Sequence, residues 1–386
     1  MDNYKYLTKI FIIIIETIFF NQLYHKICIK INNINQFNYN ITKDTKYYNK
    51  RNFYETENEF NKKNINVTVI IPVYNSEKTI NYSIASIQQQ NLTNLEIILV
   101  NDFSNDNSIN IILSFQKNDT RIKLINNKQN YGTLYSRSIG ALSAKGTYIF
   151  SLDNDDKLFG EDSLDYIYKQ AKEGNYDIVN FKRIYARNNK QLKLRMKNIN
   201  FSNNKFSEVY QPELSIYPIS RKGRFFQNSF FIWDKCIKTV IYQQAINILG
   251  NDIHTYKISY NEDIIIVFII CRLSKSMKII NKHAIIHYIF RYSTARTIKQ
   301  NYKLYCDIYF LDILFRFSKN DYSKNLCVEY FLGNKRFKNK LITKNHLDYL
   351  IKVLKKIITD KYITEKNKSL LKKFINQVKI VNLKYL

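Results

Sequence analysis

The sequence predicts an α/β fold, a mainly parallel sheet flanked by helices with a helical, basic C-terminal extension, and two observations carry that expectation. Short runs of β-branched and apolar residues, at 67–73, 95–100, 122–125, 148–152 and 176–181, alternate with stretches of helical spacing. Strands that are apolar along their whole length need cover on both faces, which a parallel sheet obtains from its crossover helices. Acidic turns follow the runs that end at Val100 and Leu152, and open α/β sheets bind ligands at the carboxyl ends of their strands.

The elements follow in order. Lys5 and Lys9 precede an apolar run at 10–20 that Glu16 interrupts. The run is short of the roughly 20 residues a bilayer span needs, and no small-residue cleavage site follows it. A signal anchor of the ER or Golgi type and an amphipathic lead-in helix both fit segment 1–23. Location therefore stays open between membrane-associated and cytoplasmic. Residues 24–66 are polar, without a sustained period, and read as a linker. Order begins at Val67. Ile80, Ile84 and Ile87 give 77–90 a helical face, and further helices are expected over 108–116 and 133–144. The segment 67–181 forms one half of the predicted fold. In the second half, 182–300, residues 182–260 are less regular and hold a polar, cationic stretch at 190–205, and a compact element follows at 261–297. Residues 301–386 read as helical and basic.

With 386 residues and 45% hydrophobic side chains, the chain is long and apolar enough for a substantial core. Ile, Asn, Lys and Tyr are used heavily throughout. We read this as a codon-composition bias, which weakens arguments from single Asn or Lys residues and makes the N-x-S/T sequons uninformative. The formal net charge is +28, and 331–386 holds 15 Lys and Arg against 3 Asp and Glu. No zinc-finger spacing, RNA-binding aromatic signature or basic-zipper heptad accompanies this charge, so no nucleic acid partner is expected. A solvated basic surface and attraction to an anionic membrane or an acidic acceptor both remain. The five cysteines are scattered without a C-x-x-C pair, which supports neither a zinc site nor a disulfide framework.

Three acidic clusters carry candidate chemistry. Asp102 lies in the turn after the second apolar run; it either meets a ligand's polar groups or, with Ser104, caps the next helix. Asp153, Asp155 and Asp156 crowd three carboxylates into four residues. Such a group is costly unless a cation relieves it, and hard oxygen ligands suit Mg²⁺ or Mn²⁺; the alternative is an acidic turn with Asp156 as a cap. Glu262 and Asp263 open an apolar, helix-like run, a place the helix dipole favours for acids in any case. Trp233, the sole tryptophan, is either core or an aromatic wall for a sugar ring. His283 and His287 share a face of a predicted strand, and His287 is a candidate third metal ligand.

Together these pieces resemble the family 2 glycosyltransferases, whose nucleotide-binding fold is called GT-A. The resemblance covers roughly 66–300. It rests on VTVIIPVYNSEKTINYSIASIQQQ, LEIILVNDFSND and NYGTLYSRSIGALSAKGTYIFSLDNDD in that order, with NSFFIWDK and the Glu262-Asp263 pair beyond them. It implies transfer of a sugar from a nucleotide-sugar donor, with uracil the usual base, to a hydroxyl of a glycan, lipid or protein. It further implies dependence on Mn²⁺ or Mg²⁺ and inversion at the anomeric carbon. Carried over by position, Pro72, Val73 and Tyr74 line the base. Asp102 reads the base edge, and Asp153 and Asp155 are the D-x-D, with Asp155 the direct metal ligand and Asp153 nearer the ribose or the metal. Arg137 fills a recurrent basic position whose role is left open. Asp263 is the catalytic base, beside Glu262, and Trp233 belongs to a W-x-K element on the acceptor side. The sequence also departs from the family. Asn101 and Phe103 replace an acid and a glycine common in the second turn, which puts its shape in question and keeps a degenerate, binding-only relative as the alternative. The Q-x-x-R-W element of processive synthases is absent and no later membrane span is apparent, so a non-processive enzyme is expected. No G-x-G-x-x-G exists for a dehydrogenase, and no glycine-rich phosphate loop for a nucleotidyltransferase.

Overall fold

The computed structural model describes residues 65–197, 207–210, 231–255, 257–288, 300–317, 328 and 344–383. The N-terminal apolar segment 1–23 and residues 24–64 of the polar linker lie outside the described residues.

Nine described strands form one sheet. They are β1 (Val67–Val73), β2 (Leu95–Asn101), β3 (Ile122–Asn126), β4 (Tyr148–Ser151), β5 (Lys157–Leu158), β6 (Ile178–Ala186), β7 (Ser207–Tyr210), β8 (Lys235–Lys238) and β9 (Met277–Tyr288). The order is β3-β2-β1-β4-β8-β6-β9-β5, with β7 also on β9. The first four strands pair in parallel. β1 and β2 are buried at every position, as strands covered on both faces must be. β8 then runs antiparallel between β4 and β6, while β6 and β9 pair in parallel. The result is a mixed, mostly parallel sheet of the expected class.

Helices α1 (Ile80–Gln88), α2 (Ser108–Asn118), α3 (Thr133–Ser143) and α4 (Ser163–Glu173) connect the early strands. α1 buries an apolar stripe of Ile80, Ile84 and Ile87. Beyond β6 come α5 (Asn189–Lys197), α6 (Thr239–Leu249), α7 (Asp252–Thr255) and α8 (Glu262–Leu273). Three expectations are corrected here. The fifth strand runs on to Ala186, the cationic stretch begins with the helix α5, and the stretch before 260 contains α6. The spacing of Tyr242, Ala245, Ile246 and Leu249, all buried, is the helical signal that marks α6. Helix α8 is buried continuously from Ile265 to Cys271, so it is a core helix and needs no polar face.

Helix α9 (Gln300–Phe317) joins two cores. Cys306, Tyr309, Phe310 and Ile313 pack into the sheet's core. Ile308, Leu311 and Phe315 pack instead with α10 (Lys344–Ile358) and α11 (Glu365–Leu383). Both sets follow the three- and four-residue spacing of a helix face. No described helix is long and apolar enough to cross a membrane. Cys236, Cys271 and Cys306 are buried free thiols.

Gly146 is where the loop into β4 crosses β1. A Cβ there would stand 2.5 Å from Thr68 N and 2.7 Å from Val67 C, so backbone would have to move. Gly146→Ala is expected to cost about 1–3 kcal/mol, the usual penalty of overpacking. A chemical denaturation midpoint equal to wild type would contradict this.

Candidate active site

Two turns form the rim at the ends of β1 and β2, and they are laced together. Asn75 N–H donates to Ser104 Oγ at 3.0 Å, Asn105 N–H to Asn75 Oδ1 at 3.0 Å, and Glu77 N–H to Asp106 Oδ2 at 2.9 Å. Asn75 and Phe103 both hold positive φ, 49° and 66°. A side chain in that region costs of order 1–2 kcal/mol, so the turn keeps a glycine-like shape even with Phe103 in it. Asn101 is accommodated by donating through Nδ2 to Asn126 Oδ1 at 3.0 Å and accepting from Ser104 N–H at 3.0 Å.

The residue at the start of α2 that accepts from backbone is Asp106, which takes Ser108 N–H at 3.1 Å. Capping therefore does not fall to Asp102. It is buried, and its carboxylate accepts from Asn127 Nδ2 at 2.9 Å, Tyr131 N–H at 2.9 Å and Gly132 N–H at 2.8 Å. Gly132 holds φ +94°, and a Cβ there would meet Ile258 O at 2.9 Å. Asp102 thus shapes the loop that starts α3, and Leu134 N–H then ties that start to Ile258 O at 2.9 Å.

Helix α3 presents small buried residues, Ser136, Ser138, Gly140 and Ala141, around one long one, Arg137. Arg137 is only 2% exposed. Its Nη2 pairs with Asp153 Oδ1, and its Nε lies 3.7 Å from Glu262 Oε1. Burial opposes its charge, but Asp153 and Glu262 together hold its pKa above the ordinary value. Nε and Nη1 are buried without a hydrogen-bond partner. Buried donors of this kind are rare and expensive, which marks them as awaiting an acceptor.

The segment after β4 supplies Asp153, Asp155 and Asp156, each with a carboxylate oxygen within 4.8 Å of the others. Asn154 turns the other way and donates through Nδ2 to Pro72 O at 2.8 Å, fixing this turn to β1. Burial, then the charges of Asp156 and Asp153, push the Asp155 carboxyl up to about 8. Asp156 caps no helix, since α4 begins at Ser163. It is fully buried and meets His287 Nδ1 at 2.8 Å. The pairing of Lys157 and Leu158 with Ile286 and Ile285 brings these two residues together across more than a hundred positions.

Glu262 and Asp263 occupy the first turn of α8. Asn261 enters that turn at φ 60° and donates through Nδ2 to Asp307 Oδ1 at 2.7 Å. Burial pushes both carboxyls above their usual range, and the Arg137 cation works against that rise in both. The positive end of the helix dipole also favours their charged forms.

Trp233 is buried and stacks on His287, with ring centroids 4.7 Å apart and planes 7° apart, and on Phe231 at 4.8 Å. The adjacent Asp234 carboxylate takes Lys235 Nζ at 2.7 Å and pairs with Arg183. This ion cluster anchors the single helical turn Ile232–Asp234 that carries Trp233 just before β8.

The fold therefore brings Arg137, Asp153, Asp155, Glu262, Asp263 and His287 to one place, with Trp233 behind His287. Pro72 is tied to the turn that carries Asp153 and Asp155 through its carbonyl, which accepts from Asn154 Nδ2. Tyr74 stands on the rim, half exposed, whereas Val73 is buried and its carbonyl accepts from Asp102 N–H at 2.8 Å. Two partnerships escape a reading of the sequence: Asp156 with His287, and Asn127 with Asp102. Neither leaves a local signal, because both are made across the chain.

A sheet of this topology, with acids at the ends of its parallel strands and a mixed far half, defines the GT-A class of fold. Residues 68–237 match the sequence model of the family Glycosyl transferase family 2. Glycosyltransferase GlyG of Streptococcus pneumoniae serotype 4 is 34% identical over 113 residues, 29% of this chain and 37% of that protein. An Escherichia coli protein, UDP-Glc:alpha-D-GlcNAc-diphosphoundecaprenol beta-1,3-glucosyltransferase WfgD, is 33% identical over 125 residues, 30% of this chain and 47% of that one. The chain thus spans less than half the length of these curated relatives. Among solved structures, residues 1–349 of S. aureus TarS in complex with UDP-GlcNAc share the fold. The TM-score is 0.58 at 16% identity, with 83% of this chain and 91% of that one covered.

Proposed function

We propose that this chain transfers a sugar from a nucleoside-diphosphate sugar, with uridine as the nucleoside, to a hydroxyl of a glycan acceptor. The observation that carries the proposal is the convergence of Asp153, Glu262 and Asp263 on one buried arginine that still has donors to spare, with Asp155 beside Asp153. Such an excess of carboxylate calls for a cation, and the raised Asp155 acid is what an uncompensated ligand looks like. The residues present fit a divalent ion, Mn²⁺ or Mg²⁺. Asp155 would hold it, with Asp153 and His287 beside it. Bound there, it would supply Lewis-acid relief of the charge that builds on the departing diphosphate.

The chain's own residues do the rest. Pro72 to Tyr74 receive the base, with Asp102 beneath them. Arg137 offers Nη1 and Nε to an oxygen of the donor and holds the Asp153 carboxylate in an ion pair. Asp263 removes the acceptor's proton as the acceptor oxygen bonds to the anomeric carbon. The bond from that carbon to the diphosphate breaks as its electron pair leaves with the phosphate. Attack opposite the leaving group inverts the configuration, and one transfer per encounter is expected. The support for a uridine donor and a glycan acceptor is the wording of relatives: the E. coli protein uses UDP-Glc, and a Campylobacter jejuni relative is a GalNAc(5)-diNAcBac-PP-undecaprenol beta-1,3-glucosyltransferase. The exposed lysines of α10 and α11, among them Lys352, Lys355, Lys356, Lys372 and Lys373, suit association with an anionic membrane surface.

A panel of nucleotide sugars, assayed with Mn²⁺ for released nucleoside diphosphate, tests the proposal. One uridine donor should be turned over and the reaction should stop with chelator. Release from no donor, with or without an added glycan, would overturn it.

A further inference from the structure

The three neighbouring aspartates look like a three-carboxylate metal site, yet they are not equivalent. Asp156 is fully buried, and each of its oxygens already has a partner. Oδ1 accepts from Tyr288 N–H at 3.1 Å and Oδ2 lies 2.8 Å from His287 Nδ1. Its backbone is pinned as well, because Asp156 N–H donates to Asp153 O at 3.1 Å and its carbonyl accepts from Ser83 Oγ at 2.7 Å. His287 is held just as firmly. Trp233 stacks on its face, and Tyr185 meets it edge-on with centroids 5.5 Å apart and planes at 87°.

We infer that Asp156 is a positioning residue that sets the tautomer of His287, keeping the proton on Nδ1 and leaving the Nε2 lone pair for the divalent ion. The inference rests on the reading that Asp153 and Asp155 hold such an ion. A carboxylate behind a ligating imidazole fixes both its orientation and its tautomer, and loss of such a partner typically weakens metal binding about 10–100-fold. The three acids then divide their work, since two face the ion and one faces the histidine.

Asp156→Asn makes the point testable, because the site dictates how an amide must lie. Tyr288 N–H is a fixed donor, so the amide oxygen has to face it. The NH₂ group then faces His287 Nδ1, which must become an acceptor. The proton moves to Nε2, and the lone pair meant for the ion is gone.

The experiment uses the full chain with nitrogen-labelled histidine, at a pH where the ring is neutral, with His287→Gln to identify the resonances. Wild type should show Nδ1 protonated and Nε2 as the bare nitrogen. The variant should show the reverse. Calorimetric titration with Mn²⁺ in the presence of UDP should give about 10–100-fold weaker binding for Asp156→Asn, with the melting temperature little changed. If wild type takes up Mn²⁺ but the variant binds it equally well, or keeps the wild-type tautomer, the inference fails and the metal reading stands. If wild type takes up no Mn²⁺, the metal reading fails and this inference with it. Should the variant not fold, the wild-type spectrum decides alone: a bare Nδ1 in place of Nε2 overturns the assignment.

Discussion

Asp263→Asn is expected to leave the donor bound and to stop transfer. Asparagine keeps the shape of the side chain and its place in the first turn of α8, so the packing around Arg137 is preserved. What it loses is the ability to take a proton from the acceptor hydroxyl. General-base assistance is typically worth about 10²–10⁴ in rate, and kcat should fall by at least that much while UDP affinity stays within a few-fold. The pH profile supplies a second readout. Burial raises the Asp263 carboxyl, and only the Arg137 cation opposes it strongly. The base acts when deprotonated, so kcat/KM should drop as the pH falls through its pKa. That limb should lie above the ordinary carboxylate value of about 4, and the residual activity of the variant should lack it. A variant that turns over near the wild-type rate would remove Asp263 from the mechanism.

Asp155→Asn should act on binding instead. In wild type, Mn²⁺ and UDP together should raise the melting temperature, since a ligand at a hundredfold excess over its Kd stabilises by about 2.7 kcal/mol. In the variant that increment should vanish, because the acid whose charge is least compensated in the group is gone. The metal-free variant should itself melt at or above wild type. Asp153, Asp155 and Asp156 have carboxylate oxygens within 4.8 Å of one another, and replacing the middle charge relieves their repulsion. Stability gained at the expense of function is the usual mark of a strained site. An undiminished shift with Mn²⁺ and UDP would rule Asp155 out as the ligand.

Much of this architecture is legible in the sequence. The first two strands are fully buried, largely aliphatic runs and the helix between them carries a plain three- and four-residue stripe, so local periodicity is enough there. The D-x-D turn and the Glu262-Asp263 pair stand out as acid clusters at the ends of such runs. What local pattern does not reveal is made by distant pairing. Nothing near Asp156 announces His287; the short strand Lys157–Leu158, docking on Ile285 and Ile286, does that. Asp102 reads as a ligand-facing acid, but its hold on Tyr131 and Gly132 belongs to a loop thirty residues away. Trp233 reads as core or sugar wall, and its stacking on His287 gives it a third role, backing a candidate ligand. Phe103 puts the shape of the second turn in question. The backbone nonetheless adopts the left-handed conformation there, since the hydrogen bonds of Asn101, Ser104 and Asn75 fix it from both sides.

The placement of β8 between β4 and β6 bears on how the protein is made. As the ribosome emits the chain, Tyr148–Ser151 is complete long before Lys235–Lys238, the strand that covers it. For several seconds, at elongation rates of about 5–20 residues per second, the growing sheet presents an open, apolar edge to the surrounding solution. Such edges recruit other strands. Nascent molecules that stall between these two segments should therefore clump or bind chaperones, and release past Lys238 should end both.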